Sequence, residues 1–258
     1  MKGKGLQGMG QQGQQRQLDA RIAKGRGSVI LYDASLIDHA DRDLFDIEVW
    51  RGRGDVTTPD GGRGEAWIIR GGDREWVLRH YRRGGIVGRY VRDSYIFTGW
   101  AMSRPVREWR ITARLYEMGL PVPRPVAAAG WRRGLLYRAD LITERVPGVT
   151  LGSQLGKDVC TPGLFRDIGK VVARLHNAGL WHSDLNVKNI LVADGRVSVI
   201  DFDKARWIRS QPALQRNLMR LERSLYKSSA RRAIDESRTA ALWLALTAGY
   251  REGRSAST

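Results

Sequence analysis

One short stretch of this sequence concentrates side chains able to do chemistry together. His182, Asp184 and Asn189 lie in Trp181-His182-Ser183-Asp184-Leu185-Asn186-Val187-Lys188-Asn189, and Asp201 opens Asp201-Phe202-Asp203. Two carboxylates and an amide are hard oxygen donors. Such donors suit Mg²⁺, which keeps waters and takes phosphate oxygens as further ligands. They can act together only if the chain folds back between them. Ile190-Leu191-Val192 reads as a strand, Asp194-Gly195 as a two-residue hairpin turn whose central positions favour positive φ, and residues 197–200 as the return strand. A turn of that length pairs Ala193 with Arg196 and Leu191 with Ser198, which puts Asn189 opposite Ile200. Asp201 then emerges beside Asn189, with Asp184 on the loop just before.

Regular elements must hold that loop. Thr161-Pro162 opens a helix in which Leu164, Ile168, Val171 and Leu175 fall at helical spacing, and Gly179 closes it. Ser103-Arg104-Pro105 starts another, with Ser103 as a cap and Pro105 tolerated in the first turn. Gly119 ends it and Pro121 prevents its resumption, leaving residues 120–126 extended. Residues 65–70 and 75–81 read as strands joined at Gly71-Gly72-Asp73, residues 29–50 as a short strand and an acidic stretch, and residues 135–146 as two strand-like pieces. Beyond residue 210 the pattern is helical and very basic. Strands precede helices, so the division expected is a disordered tail over 1–27, an N-lobe over 28–147 and a C-lobe over 148–258.

Composition bounds the function. The chain has 258 residues, enough for two small lobes with their own cores, and 42% of them are hydrophobic, which excludes global disorder. A single cysteine, Cys160, cannot form an internal disulfide and fits a reducing compartment. No apolar run approaches the roughly 20 residues that span a bilayer, and the Gly/Gln-rich start lacks the apolar core of a signal peptide. The net charge is +17, and of 44 basic residues only eight are lysine. Such a chain is drawn to polyanions, whether nucleic acid, an anionic membrane face or a phosphorylated substrate; the other reading is a merely solvated surface. Arg79, Arg82, Arg83, Arg89, Arg92, Arg104 and Arg107 cluster with Tyr81, Tyr90 and Tyr95, and no known nucleic-acid motif accompanies them.

The order, spacing and strand context of His182, Asp184, Asn189 and Asp201 resemble the catalytic loop and metal motif of the protein-kinase-like fold. The resemblance implies an α+β, two-lobed chain with an antiparallel N-lobe sheet and a mainly helical C-lobe. It implies ATP and Mg²⁺ as cofactors, Asp184 as catalytic base, and Asn189 and Asp201 as metal ligands. The Gly-rich turn over the phosphates would be Gly61, Gly62 and Gly64, which read equally well as an ordinary hairpin turn. No lysine lies between Lys24 and Lys157, so Arg79 takes the place of the phosphate-clamping cation, with Arg82 as the alternative. Glu108 is the helix glutamate that would pair with it, unless it faces solvent. Residues 141–148 look like the hinge, putting Glu144 and Val146 at an adenine. His182 is expected to brace the loop rather than transfer protons. Lys188, Lys204 and Arg206 either meet the phosphate or acceptor or are surface residues.

The departures from protein kinases narrow the substrate. Asn186 stands where those enzymes carry lysine, Asp203 replaces the glycine of Asp-Phe-Gly, and no Ala-Pro-Glu follows, which disfavours a protein acceptor. His80-Tyr81-Arg82-Arg83-Gly84-Gly85, Tyr95-Ile96-Phe97-Thr98-Gly99, Gly119-Leu120-Pro121-Val122-Pro123-Arg124-Pro125, Tyr137-Arg138-Ala139-Asp140-Leu141-Ile142-Thr143 and His182-Ser183-Asp184-Leu185-Asn186 resemble the 3-deoxy-D-manno-octulosonic acid (Kdo) kinase family over roughly residues 50–210. That resemblance implies phosphorylation of the Kdo sugar of a lipid A precursor at its 4-hydroxyl. It also implies an anionic glycolipid as partner rather than nucleic acid, and a peripheral position on the cytoplasmic side of the inner membrane. One alternative is a small-molecule or antibiotic phosphotransferase, which would need an acidic acceptor pocket and is disfavoured by the basic excess. The other is a catalytically dead basic binding protein, which should have lost one of Asp184, Asn189 and Asp201.

Overall fold

A computed structural model of the chain describes residues 16–57, 66–81 and 94–256. The first hairpin is β1 (Ala20–Gly25) and β2 (Ser28–Asp33), turning at Gly27 with φ +80°. The tail expected over residues 1–27 is therefore corrected from residue 16 on. Leu18 is buried and β1 is held by its ladder to β2, although its mostly exposed side chains show no alternation that the sequence could reveal. A short helix α1 (Ile47–Gly52) and strand β3 (Val56–Thr57) follow. Residues 34–50 are more than an acidic stretch, because Ala40, Phe45 and Trp50 pack on one face of the sheet.

The hairpin of β4 (Ala66–Gly71) and β5 (Arg74–His80) turns at Gly72, φ +63°. Trp67 and Ile69 alternate inward against Trp76 and Leu78, as a strand period of two requires. Next come β6 (Tyr95–Ile96), helix α2 (Arg104–Glu117), β7 (Pro125–Arg133) and β8 (Leu136–Glu144). Residues 135–146 thus supply one strand rather than two pieces, and its partner β7 begins at Pro125. Gly119 stops α2 at φ +73°. Ser103 begins that helix without capping it through its side chain, because its Oγ donates to the Trp100 carbonyl at 2.7 Å. Among the described residues the sheet has eight strands, ordered β1-β2-β7-β8-β5-β4-β3 with β6 on β8. Its inner face packs Val106, Trp109 and Ala113 of α2.

The second half opens with β9 (Val149–Thr150), α3 (Leu151–Gln154) and α4 (Pro162–Asn177), whose first turn is capped by Thr161 Oγ1 accepting from Leu164 N. Then follow β10 (Leu180–Trp181), the hairpin of β11 (Ile190–Ala193) and β12 (Arg196–Val199), β13 (Arg206–Trp207), α5 (Gln211–Ala230) and α6 (Glu236–Ser255). One core joins α4, the hairpin, α5 and α6 to Ile111, Leu115, Leu120 and Val122, so the end of α2 is anchored in the second half. No helix among the described residues is long and apolar enough to cross a membrane.

Candidate active site

The hairpin carries the register read from its turn. Ala193 pairs with Arg196 and Leu191 with Ser198, with Asp194 and Gly195 at φ +48° and +74°. Ile200 N donates to Asn189 O at 3.0 Å, so Asn189 and Asp201 leave the ladder side by side. Asn189 Nδ2 donates to the Asp184 carbonyl at 2.9 Å, which draws the preceding loop onto the hairpin. His182 is buried and bridges the two. Its Nδ1 accepts from Asp184 N at 3.1 Å, leaving the proton on Nε2 to donate to Ile200 O at 3.0 Å. Burial lowers its pKa and keeps the ring neutral. That is the bracing role expected of it.

A cleft of about 260 Å³ opens between sheet and hairpin, lined by Val77, Arg79, Glu108, Leu141, Glu144, Val146, Asn189 and Asp201 among others. Arg79 is its electrostatic centre. Its guanidinium meets Glu108 at 2.5 Å and Asp201 at 2.6 Å, and lies 5.0 Å from the Tyr81 ring centroid. Burial opposes the Arg79 charge, but Glu108, Tyr81 and Asp201 together hold it firmly protonated. Glu108 is almost fully buried and also accepts from the Tyr81 hydroxyl. Burial pushes its carboxyl up to about 7, against the pull of Arg79. Asp201 is likewise desolvated, yet the Arg79 charge and hydrogen bond outweigh burial and hold its carboxyl below the usual range. Asp201 sits at φ +66°, a conformation costing a non-glycine residue of order 1–3 kcal/mol that surrounding contacts must sustain.

Asp203 is one such contact. Its carboxylate takes a two-pronged ion pair from Arg104, the first residue of α2, with Arg104 Nε at 2.9 Å from Oδ1, and its carbonyl accepts from Ser183 Oγ at 2.6 Å. The Arg104 guanidinium is framed by the rings of Tyr81 and Tyr95, at 5.2 and 4.6 Å. One residue thus ties the metal motif to α2 and to the catalytic loop. The sequence marked it only as an aspartate in place of glycine.

Arg79, Glu108, Asn189, Asp201, Glu144 and Val146 share the cleft, whereas the Asp184 carboxylate points beside it toward α5. The Glu144 side chain pairs with Arg74 at the rim. Gly61, Gly62, Gly64 and Arg82 lie outside the described residues. Two residues of α5 were missed. Buried Asn217 donates to the His182 carbonyl at 2.6 Å and accepts from His182 N at 3.2 Å, and Arg220 donates to Asp184 through Nε at 3.0 Å. The sequence placed both on a basic helix but gave no sign that this helix returns to the catalytic loop.

Among the described residues no group of three or more His, Cys, Asp and Glu side chains is arranged to hold a metal ion. The donor set of Asn189 and ionised Asp201 nevertheless fits Mg²⁺, because that ion takes few protein oxygens and completes its shell with waters and phosphate oxygens. The arrangement can therefore grip a metal–nucleotide in the cleft, with the Asp184 carboxylate beside it on the α5 side.

Residues 47–250 match the profile of the lipopolysaccharide kinase (Kdo/WaaP) family. The chain is 40% identical over 208 residues to a 3-deoxy-D-manno-octulosonic acid kinase of Vibrio parahaemolyticus, covering 80% of this chain and 87% of that one. It is 40% identical over 220 residues to the enzyme of the same name from Xanthomonas campestris pv. campestris, covering 83% and 86%. Its fold is similar to that of the amicoumacin kinase hAmiN in complex with AMP-PNP, Ca²⁺ and Ami, with a TM-score of 0.55 over 78% of this chain and 73% of that one at 13% identity. That likeness establishes the α+β kinase-like fold.

Proposed function

The chain belongs to the lipopolysaccharide kinase (Kdo/WaaP) family, and from that premise we propose that it transfers the γ-phosphoryl group of ATP to the 4-hydroxyl of the Kdo sugar on a lipid A precursor. The observation that carries this reading is the joint placement of Arg79, Glu108, Asn189 and Asp201 around one cleft, with the Asp184 carbonyl bonded to the Asn189 amide.

In the proposed reaction Asp184 orients the sugar hydroxyl and takes its proton. The hydroxyl oxygen forms the new bond to the γ-phosphorus as the bond to the β-phosphate oxygen breaks, and ADP leaves. Arg79, steadied by Glu108, neutralises charge on the α- and β-phosphates. The backbone of residues 144–146 borders the adenine. Mg²⁺ held by Asn189 and Asp201 would supply charge neutralisation on the phosphates. His182, neutral and buried, keeps Asp184 and Asp201 in register and moves no proton. The enzyme works peripherally at the cytoplasmic face of the inner membrane, where its anionic glycolipid acceptor lies.

The test is transfer of labelled phosphate to a Kdo-bearing lipid A precursor, with aminoglycoside and protein acceptors in parallel. Label on the lipid alone supports the assignment, and label on an aminoglycoside or on protein overturns it. Asp184→Ala should lower transfer by about 10²–10⁴ while ATP binding persists. Turnover at the parent rate would remove Asp184 from its role.

A further inference from the structure

The α5 helix presents two faces to the catalytic loop. Asn217, Leu218, Leu221 and Leu225 are buried, and Asn217 bonds both backbone groups of His182 while Ser224 Oγ accepts from Val187 N at 3.3 Å. With that face fixed, Arg216, Arg220, Arg223 and Lys227 recur at spacings of four, three and four and form one exposed basic stripe. Arg220, the second of them, reaches Asp184. Its Nε and a terminal nitrogen both donate to Oδ1, and neither bond goes to Oδ2.

A guanidinium with two donors on Oδ1 of that carboxylate occupies an oxygen that an acceptor hydroxyl would have to reach, so its presence calls for a reason. We infer that Arg220 is the residue that reads the acceptor: its guanidinium holds the sugar carboxylate beside the hydroxyl to be phosphorylated, and the rest of the stripe takes the glycolipid's phosphates. This rests on the reading of the acceptor as a Kdo-bearing glycolipid. Both partners of the present pair are about half exposed, at 48% and 47%, and ion pairs so exposed are held weakly in water. An incoming carboxylate can therefore exchange for Asp184 on Arg220, and the planar fork of arginine matches a carboxylate with two bonds where a lysine offers one point charge. The exchange leaves Asp184 free once an anionic acceptor is in place. Discrimination against neutral sugars follows from the same exchange.

The experiment compares the wild type, Arg220→Gln and Arg220→Lys on the Kdo-bearing lipid A precursor and on the same lipid with the Kdo carboxylate converted to the carboxamide. On the native acceptor, Arg220→Gln should lose about 10- to 100-fold in kcat/KM, chiefly through KM, with the KM for ATP unchanged. Arg220→Lys should recover part of that loss. On the carboxamide the wild type should already be impaired, and Arg220→Gln should cost little more. Equal losses on both lipids would make Arg220 a positioning residue for Asp184 and overturn the inference. So would an unchanged KM on the native lipid, or a changed KM for ATP. A wild type that transfers nothing to either lipid refutes the proposed function and the inference with it, whereas active wild type with an indifferent Arg220→Gln refutes the inference alone.

Discussion

Arg79 joins the two halves of the site through two carboxylates of opposite character. Asp201 stays ionised despite burial because Arg79 outweighs it, and Glu108, more deeply buried, is pushed up to about 7. A carboxyl with that pKa protonates as the pH falls through 7 and loosens its grip on Arg79. The pH profile of kcat/KM for ATP, which reports the free enzyme, should therefore show an acid limb near 7. Glu108→Gln, locked in the neutral form, should flatten that limb and run about tenfold or more below the parent at pH 8. A limb that persists unchanged in Glu108→Gln would assign it to another group. The pairing of Glu108 with Arg79 was legible only through the resemblance to the kinase-like fold, which implies a helix glutamate for the phosphate-side cation; the residues alone left open a Glu108 that faces solvent. The second role of Tyr81, donating to Glu108, was not, because only the fold turns that ring toward the helix.

At the scale of elements the local signals served well wherever they were covalent or steric. The Asp194-Gly195 turn set the hairpin register, and Thr161 capped its helix through Leu164 N. Ser103 shows the opposite case, since a serine at a helix start has several acceptors within reach and the tertiary path of residues 100–102 gave it the Trp100 carbonyl. The packing of α4 against α6 lay beyond any local signal. A Cβ on Gly249 would stand 2.0 Å from the Arg166 carbonyl oxygen, and one on Gly169 would stand 2.0 Å from that of Leu246. These obstacles are backbone and cannot rotate away. Gly249→Ala should force the helices apart and cost about 2 kcal/mol or more, read as a lowered midpoint of urea denaturation. Gly134→Ala has open space around its Cβ but a φ of +62°, so its milder loss would come from backbone strain alone. Equal losses in the two variants would remove the packing argument.

Over the whole molecule the charge of +17 is a field as well as a set of contacts. The proposed membrane position makes a direct prediction. The protein should co-sediment with phosphatidylglycerol vesicles at low salt, release at about 1 M salt where the Debye length is about 3 Å, and ignore phosphatidylcholine vesicles. Binding to both lipids alike, or retention in high salt, would point to apolar insertion instead. Within that field the structure separates arginines with internal partners, such as Arg79, Arg104, Arg124 and Arg220, from Arg216 and Arg223 of the α5 stripe, which face solvent.

What the sequence determined by itself was the chemistry and its local frame: the donor types of Asp184, Asn189 and Asp201, and the turn that brings the last two together. Those features follow from residue identity and from turns of a few residues, whose geometry is nearly closed by covalent constraints. Only the tertiary structure decided that Asp203 fastens α2 to the metal motif, that Asn217 supports His182, and that Arg220 rests on Asp184. The residues in these pairs lie 99, 35 and 36 positions apart, and no local rule relates them. Burying the apolar faces of α2 and α5 sets where their polar residues arrive, and that burial is a property of the whole core.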